Sequence, residues 1–237
     1  MKLSIIIPVF NEMRTLPIVL RKVDSTPLAI SREMIVVDDG STDGGRELLL
    51  KLSGDPAVLN LRSELKVLFH ERNRGKGAAI RTALKQVSGD IVLIQDADLE
   101  YDPQEYSHLL ASILDGRADV VYGSRLSAAS THRVLYYWHY LGNTVLTTLS
   151  NMLTNLNLSD MEVGYKVFRA DVLKSLKLKS DRFGFEPEVT VKVAKAGCRV
   201  YEVPISYYGR TYEDGKKITW KDGVAAIFFL VRYRVMD

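Results

Sequence analysis

The chain has one cysteine, Cys198, in 237 residues. No intrachain disulfide can form, and a reducing compartment such as the cytoplasm fits best. No run of 18 or more apolar residues occurs, which excludes an ordinary transmembrane helix; the most apolar stretch near the end, Ala225–Val231, is far too short to cross a bilayer. The N-terminus lacks the succession of charge, apolar core and small residues of a signal peptide. Neither charge sign dominates: 32 Lys and Arg stand against 29 Asp and Glu, a formal net charge of +3. That balance leaves no electrostatic footprint for nucleic acid. Histidine is scarce, and His70, His108, His132 and His139 are scattered. Each reads as a structural or surface group rather than a catalytic base.

What is present is an ordinary globular composition, 46% hydrophobic and 26% charged. The first hundred residues alternate short β-branched runs with helical spacing. Strands are read at Leu3–Phe10, Met34–Val37, Val67–His70 and Asp90–Gln95. Helices are read at Glu12–Ser25, Gly44–Lys51 and Gly77–Gln86. This rhythm predicts an α/β fold with a mostly parallel central sheet and helices on both faces. Ligands bind beyond the carboxyl ends of such strands. The second half is less regular, with helices read at Gln104–Asp115, Tyr136–Leu156 and Glu186–Lys195 and strands at Val120–Gly123, Tyr165–Arg169 and Cys198–Val203. No linker or repeat interrupts it. The chain therefore reads as one Rossmann-like domain over residues 1–237, with a seam near residue 100 and one sheet shared by both halves.

Four motifs sit at predicted strand ends. Asp96-Ala97-Asp98 follows the apolar run Ile91–Ile94. Carboxylates at i and i+2 on a turning segment can face one hard divalent cation, Mg2+ or Mn2+. A bare D-x-D also occurs by chance as a solvated acidic loop; its place after a buried strand, with Glu100 nearby, favours the metal. Val37-Asp38-Asp39-Gly40-Ser41-Thr42-Asp43 puts adjacent carboxylates at a strand end. Capping of the next helix accounts for Ser41 and Thr42 but not for Asp38 and Asp39, which can accept hydrogen bonds from a base or ribose. In Pro8-Val9-Phe10-Asn11-Glu12, capping by Asn11 is a sufficient explanation alone. In Arg72-Asn73-Arg74-Gly75-Lys76-Gly77, glycines and cations precede a helix and can let amides and Lys76 approach a phosphate. The spacing is neither a Walker loop nor a dinucleotide fingerprint, and a flexible basic turn satisfies it equally.

Together, in this order and approximate spacing, the four motifs resemble family 2 inverting glycosyltransferases, above all the dolichyl- and polyprenyl-phosphate sugar transferases. The resemblance continues through Gly123-Ser124-Arg125, Asp160–Arg169, and Arg210 with Gly215-Lys216-Lys217. It implies the GT-A glycosyltransferase fold, with residues 1–100 as a donor half and 101–237 as an acceptor half ending in an amphipathic helix. It implies a nucleoside pocket lined by Pro8, Val9, Asn11, Glu12, Asp38 and Asp39, with Asp39 reading the base, and Lys76, Asp96 and Ala97 close to the nucleotide. Asp96 and Asp98 would hold the metal against the donor diphosphate. Glu100, where the family often has Gln, would be a third ligand. Arg125 would hold the acceptor phosphate, and Arg210 with Lys217, or Lys216, would close over the diphosphate. The implied reaction moves mannose or glucose from a GDP- or UDP-sugar to a polyprenyl phosphate.

A phosphate acceptor is already an anion at neutral pH, so no strong base is required, in keeping with the lack of a catalytic histidine. A hydroxyl acceptor would need one, for which Asp160 and Glu162 are the candidates. A non-catalytic sugar-nucleotide-binding module is the remaining alternative. Leu135–Leu158 carries Leu141, Val145, Leu149, Met152, Leu153 and Leu156 at near-helical spacing, with Tyr136, Tyr137, Trp138 and Tyr140 at its start. Such a helix suits either a membrane interface or an ordinary core. Ala225–Val235, beside Arg232 and Arg234, offers the same choice, so peripheral contact with the cytosolic membrane face is expected. Oligomeric state is not readable.

Overall fold

The computed structural model describes residues 1–126, 133–134, 136–182, 184–210 and 220–236. Lys217, Lys216 and His132 lie outside the described residues. Strand β1 (Lys2–Val9) pairs in parallel with β2 (Ser31–Asp38) and β4 (Ile91–Ile94), and β2 pairs in parallel with β3 (Glu64–Phe69). Strand β6 (Lys166–Arg169) runs antiparallel between β4 and β5 (Val120–Ser124), and β7 (Val200–Pro204) closes the edge parallel to β5. The seven-stranded order is β3-β2-β1-β4-β6-β5-β7. Successive residues of β1, β2 and β4 are buried in unbroken runs. Adjacent side chains point to opposite faces, so both faces of the sheet are covered.

The mostly parallel sheet is the one the sequence predicts, apart from β6. Its reversal decides what reaches the ligand-binding edge. Lys166 stands opposite both Ile94 and Tyr122. The start of β6, not its end, therefore lies beside the ends of β4 and β5. Segment 160–165 is delivered to the same edge as Asp96. The end of β7 pairs with Ser124, so residues 205–210 arrive there too.

Strand β2 is longer than its predicted apolar centre, because Ser31 and Arg32 are not buried and Glu33 and Asp38, though buried, are charged, so all four escape a hydrophobicity pattern. Pro8 is tolerated in a central strand because β4 pairs β1 only up to Ile6. Its missing N–H removes no rung on that side.

Helix α1 (Leu16–Ser25) starts four residues later than the spacing predicts, and α2 spans Gly45–Gly54. The caps differ accordingly. Asn11 does not cap α1; at φ 52° its N–H donates to Ser41 Oγ and its Oδ1 accepts from Thr42 N–H. Asp43, rather than Ser41 or Thr42, accepts from Gly45 N–H at the start of α2. Helices α3 (Lys76–Leu84), α4 (Tyr106–Leu114) and α6 (Ala170–Ser175) complete the cover of the sheet.

The long helix α5 (Tyr137–Thr154), α7 (Phe185–Lys195) and α8 (Trp220–Met236) pack on one another. Met161, Val191, Leu230 and Tyr233 form a small second core with Leu146, Leu149, Leu153 and Phe229. The predicted apolar stripe of α5 divides: Leu149 and Leu153 face this core, whereas Leu141, Val145 and Met152 are exposed. Helix α8 docks one face through Ala226, Leu230 and Tyr233, while Val224, Ile227, Phe228 and Val231 remain exposed. No described helix is long and apolar enough to cross a membrane. Because Leu230 is fully buried, Leu230→Ala is expected to destabilise the protein by about 2–5 kcal/mol in urea denaturation.

Candidate active site

Four strand ends bring the predicted motifs together at one edge. At the end of β4, Gln95 Nε2 donates to the Asp96 carbonyl, and Gln95 Oε1 accepts from both Tyr106 and Tyr165 hydroxyls at 2.7 Å. These bonds fix the backbone entering Asp96-Ala97-Asp98. The Ala97 carbonyl accepts from Thr15 Oγ at 2.6 Å, which ties the turn to the start of α1. Leu99 then adopts φ 62°, a conformation unfavourable for a branched residue. This turn lets Glu100 N–H donate to Asp98 Oδ1.

Negative charge is dense here, and two cations answer it. Lys76, at the first turn of α3, contacts Asp96 at 2.8 Å and Glu186 at 3.1 Å. Burial opposes its charge, but the facing carboxylates override it and hold the ammonium above its usual pKa. Arg210 reaches Glu12 at 3.1 Å and Asp98 at 3.0 Å, with Glu100 at 3.7 Å. Asp98 is nevertheless pushed up to about 7, first by burial and then by Asp96 and Glu100, against the pull of Arg210. A crowd of hard carboxylate oxygens still short of positive charge fits Mg2+ or Mn2+. Among the described residues no three acidic, histidine or cysteine side chains converge as a cage. Glu100 is engaged elsewhere: it accepts from the Tyr207 hydroxyl and from Arg210 N–H. An ion held by Asp96 and Asp98 would complete its shell with phosphate oxygens and water, as is usual for Mg2+.

The Asp38–Asp39 pair separates into two roles. Asp38 is fully buried, and it accepts from Ser41 N–H and Arg46. Its carboxylate is therefore engaged by the protein's own donors. Asp39 accepts from Arg74 N–H at 2.9 Å and Gly75 N–H at 2.7 Å and meets His70 Nδ1 at 2.6 Å. It therefore shapes the Arg72–Lys76 loop. Gly75, at φ 100°, makes the tight turn into α3. A cleft of about 440 Å3 lies along this loop, lined by Phe69, His70, Glu71, Arg72 and Arg74. Pro8 and Val9 end β1 beside Asp38, and the Val9 carbonyl accepts from Asp39 N–H.

Arg125 follows β5 and is clamped by Asp160, Nε to Oδ2 at 2.6 Å and Nη2 to Oδ1 at 2.7 Å. Its guanidinium also lies over the Tyr207 ring. Asn143 donates a further bond to Asp160. Burial works against the Asp160 charge, but Arg125 and these bonds keep its pKa below the ordinary carboxylate value. Asp160 thus acts as a clamp on Arg125. Glu162 differs. Its Oε1 is buried without a hydrogen bond. Burial, then the Glu186 charge, push it up to about 7, against Lys166 and Arg125.

Sequence reasoning missed Glu186, Tyr207 and Gly164. Glu186 reads as an ordinary acid at a helix start, and only the fold shows it buried against Lys76. Gly164 N–H donates to the Tyr101 hydroxyl, and a Cβ there would collide with Asp96 Oδ2. Gly164→Ala is therefore expected to displace the Asp96 carboxylate and abolish any Mn2+-dependent rise in unfolding temperature, at a stability cost of about 1–3 kcal/mol. Retention of that rise would refute the contact. For Glu162, the folded pKa near 7 lies above its ordinary 4.5. The native state then holds the proton more tightly, and stability falls as pH rises from about 4.5 to 7. Glu162→Gln should lack this fall. In urea denaturation at pH 5 and pH 8, it should gain on the wild type by on the order of 1–3 kcal/mol at the higher pH.

The chain is similar to known sugar transferases. Undecaprenyl-phosphate mannosyltransferase of Micrococcus luteus is 29% identical over 230 residues, covering 91% of this chain and 87% of that protein. Undecaprenyl-phosphate 4-deoxy-4-formamido-L-arabinose transferase of Yersinia enterocolitica is 27% identical over 217 residues. There the match covers 91% of this chain but only 62% of the relative's length. Glucosyl-3-phosphoglycerate synthase of Mycobacterium tuberculosis, solved with Mn2+, UDP and glucosyl-3-phosphoglycerate, superposes over 100% of this chain and 81% of that one. Its TM-score is 0.73 at 20% identity, a likeness of fold. The architecture is the GT-A glycosyltransferase fold. The sequence profile of glycosyl transferase family 2 matches residues 4–177, and the chain belongs to that family.

Proposed function

We propose that the chain transfers a hexose, mannose or glucose, from a UDP- or GDP-sugar to a polyprenyl phosphate at the cytosolic face of a membrane. The observation that carries this reading is the pairing of Asp96 and Asp98 with Lys76 and Arg210 at one sheet edge, to which Arg125 is delivered directly after β5. The names of the relatives, two undecaprenyl-phosphate sugar transferases, support the acceptor class. The UDP and Mn2+ in the superposed synthase support the donor class and a divalent ion.

In this reading Asp39 orders the loop that receives the nucleoside and reads its base, with Pro8, Val9, Asn11 and Glu12 forming the neighbouring wall. Mg2+ or Mn2+ on Asp96 and Asp98 would neutralise charge on the departing diphosphate. Arg210 would exchange its carboxylates for the diphosphate, assisted by Lys217. The Asp160 clamp holds the Nε–Nη2 edge of Arg125, which presets the guanidinium for an acceptor phosphate. A phosphate oxygen needs no proton removed before it attacks the sugar, so positioning and charge neutralisation do the work. The exposed apolar faces of α5 and α8, with Trp138 at 76% and Phe228 at 60% exposure, suit peripheral contact with the bilayer that carries the acceptor. A second reading, a hydroxyl acceptor, is favoured by one observation: Glu162, with its raised pKa, has the properties of a base.

The test is transfer from UDP-glucose and GDP-mannose to undecaprenyl phosphate with Mn2+. Product is expected with one of the two donors. Asp98→Ala should lower the rate roughly 1,000-fold. Undiminished transfer by that variant at saturating Mn2+ would sink the metal role. Transfer to a hydroxyl acceptor without lipid phosphate, lost in Glu162→Gln, would replace the first reading with the second.

A further inference from the structure

Five buried side-chain atoms among the described residues have no hydrogen-bond partner: Asn143 Oδ1, Ser150 Oγ, Glu162 Oε1, Glu186 Oε2 and Arg210 Nε. Four of the five belong to residues at one place. Asn143 bonds Asp160, Arg210 bonds Asp98, and Glu186 bonds the Lys76 that also holds Asp96. Glu162 is two residues after Asp160 and two before Gly164, which lies against Asp96. Buried polar atoms are almost always satisfied, and leaving one bare is costly. Their concentration here points to a partner that arrives with a ligand.

The chemistry of the two carboxylate oxygens narrows that partner. Glu186 is only 4% exposed, and Lys76 engages just one of its oxygens. A carboxyl oxygen accepts hydrogen bonds, and a Glu162 that holds its proton can also donate one, so the missing partner is a group able to do both. A phosphate or diphosphate presents further negative charge and is repelled. A divalent ion is already provided for by Asp96 and Asp98 in the reading above. Neutral hydroxyls meet the requirement. With an anionic acceptor, the donor hexose is the reactant that brings several of them.

We propose that Glu186 and Glu162 form the hydroxyl-accepting wall of the donor-sugar pocket, and so take part in choosing the hexose. Lys76 couples that wall to Asp96 and holds Glu186 in place with the ammonium that bridges them. The inference rests on the nucleotide-sugar reading above.

The test is calorimetric binding of UDP, UDP-glucose, GDP and GDP-mannose with Mn2+ to the wild type and two variants. Glu186→Gln keeps an amide oxygen for Lys76 and puts a donor where an acceptor stood. Glu162→Leu removes the acceptor while keeping bulk. For the preferred donor, the ratio of its Kd to that of its nucleoside diphosphate should rise at least about tenfold in each variant. The nucleoside diphosphate alone should still bind each variant, which also reports an intact fold. An unchanged ratio in both variants, or in whichever one folds, overturns the inference and leaves the nucleotide-sugar reading standing. A wild type that binds none of the four removes that reading, and the inference with it.

Discussion

The arrangement depends on one constraint: several carboxylates are held together at the end of a buried strand, where water screens them poorly. Glu12, Asp96, Asp98, Glu100 and Glu186 come from three separate stretches of chain and meet two cations, Lys76 and Arg210. Partial burial strengthens every attraction and every repulsion among them. Outer contacts hold this charge in position: tyrosines on Gln95, Thr15 on the Ala97 carbonyl, and Asp160 on Arg125. The site is rigid in its scaffold and electrostatically unsatisfied at its centre, a combination suited to a charged ligand.

The reversed strand β6 makes the rest of the pocket possible. In a fully parallel sheet the chain before β6 would enter at the far edge. Running β6 antiparallel brings Asp160, Glu162 and Gly164 to the carboxyl ends of β4 and β5. Gly164 is small because the Asp96 carboxylate takes the space a side chain would need.

Much of this was legible in residues 1–100. There the strands are buried on both faces, so their apolar runs stand out, and each motif follows a strand end. Asp96, Asp98, Glu12 and Lys76 were found this way, and they do meet. What was not legible depended on long-range partners. Asp38 and Asp39 look alike in sequence, yet one faces Arg46 and is sealed, while the other organises the loop before α3. Glu186 looks like a surface acid at a helix start, and its burial follows from α7 lying behind Lys76. The direction of β6 could not be read, since hydrophobic pattern is blind to strand polarity. The stripe on α5 misled for a related reason: apolar spacing marks a helix, but α8 covers only part of that helix's apolar surface.

Arg210 has one more consequence. A guanidinium already neutralising Asp98 and Glu12 is an intramolecular counter-ion, tethered at high local concentration. Any cation entering alone must compete with it, and any diphosphate entering alone must approach uncompensated acids. Arriving together, each would remove the obstacle facing the other, because the diphosphate would give the displaced arginine a new partner. On the proposed function, binding of ion and nucleotide would then be thermodynamically linked, each tightening the other by the same factor, through a side chain that is a ligand of neither in the free protein.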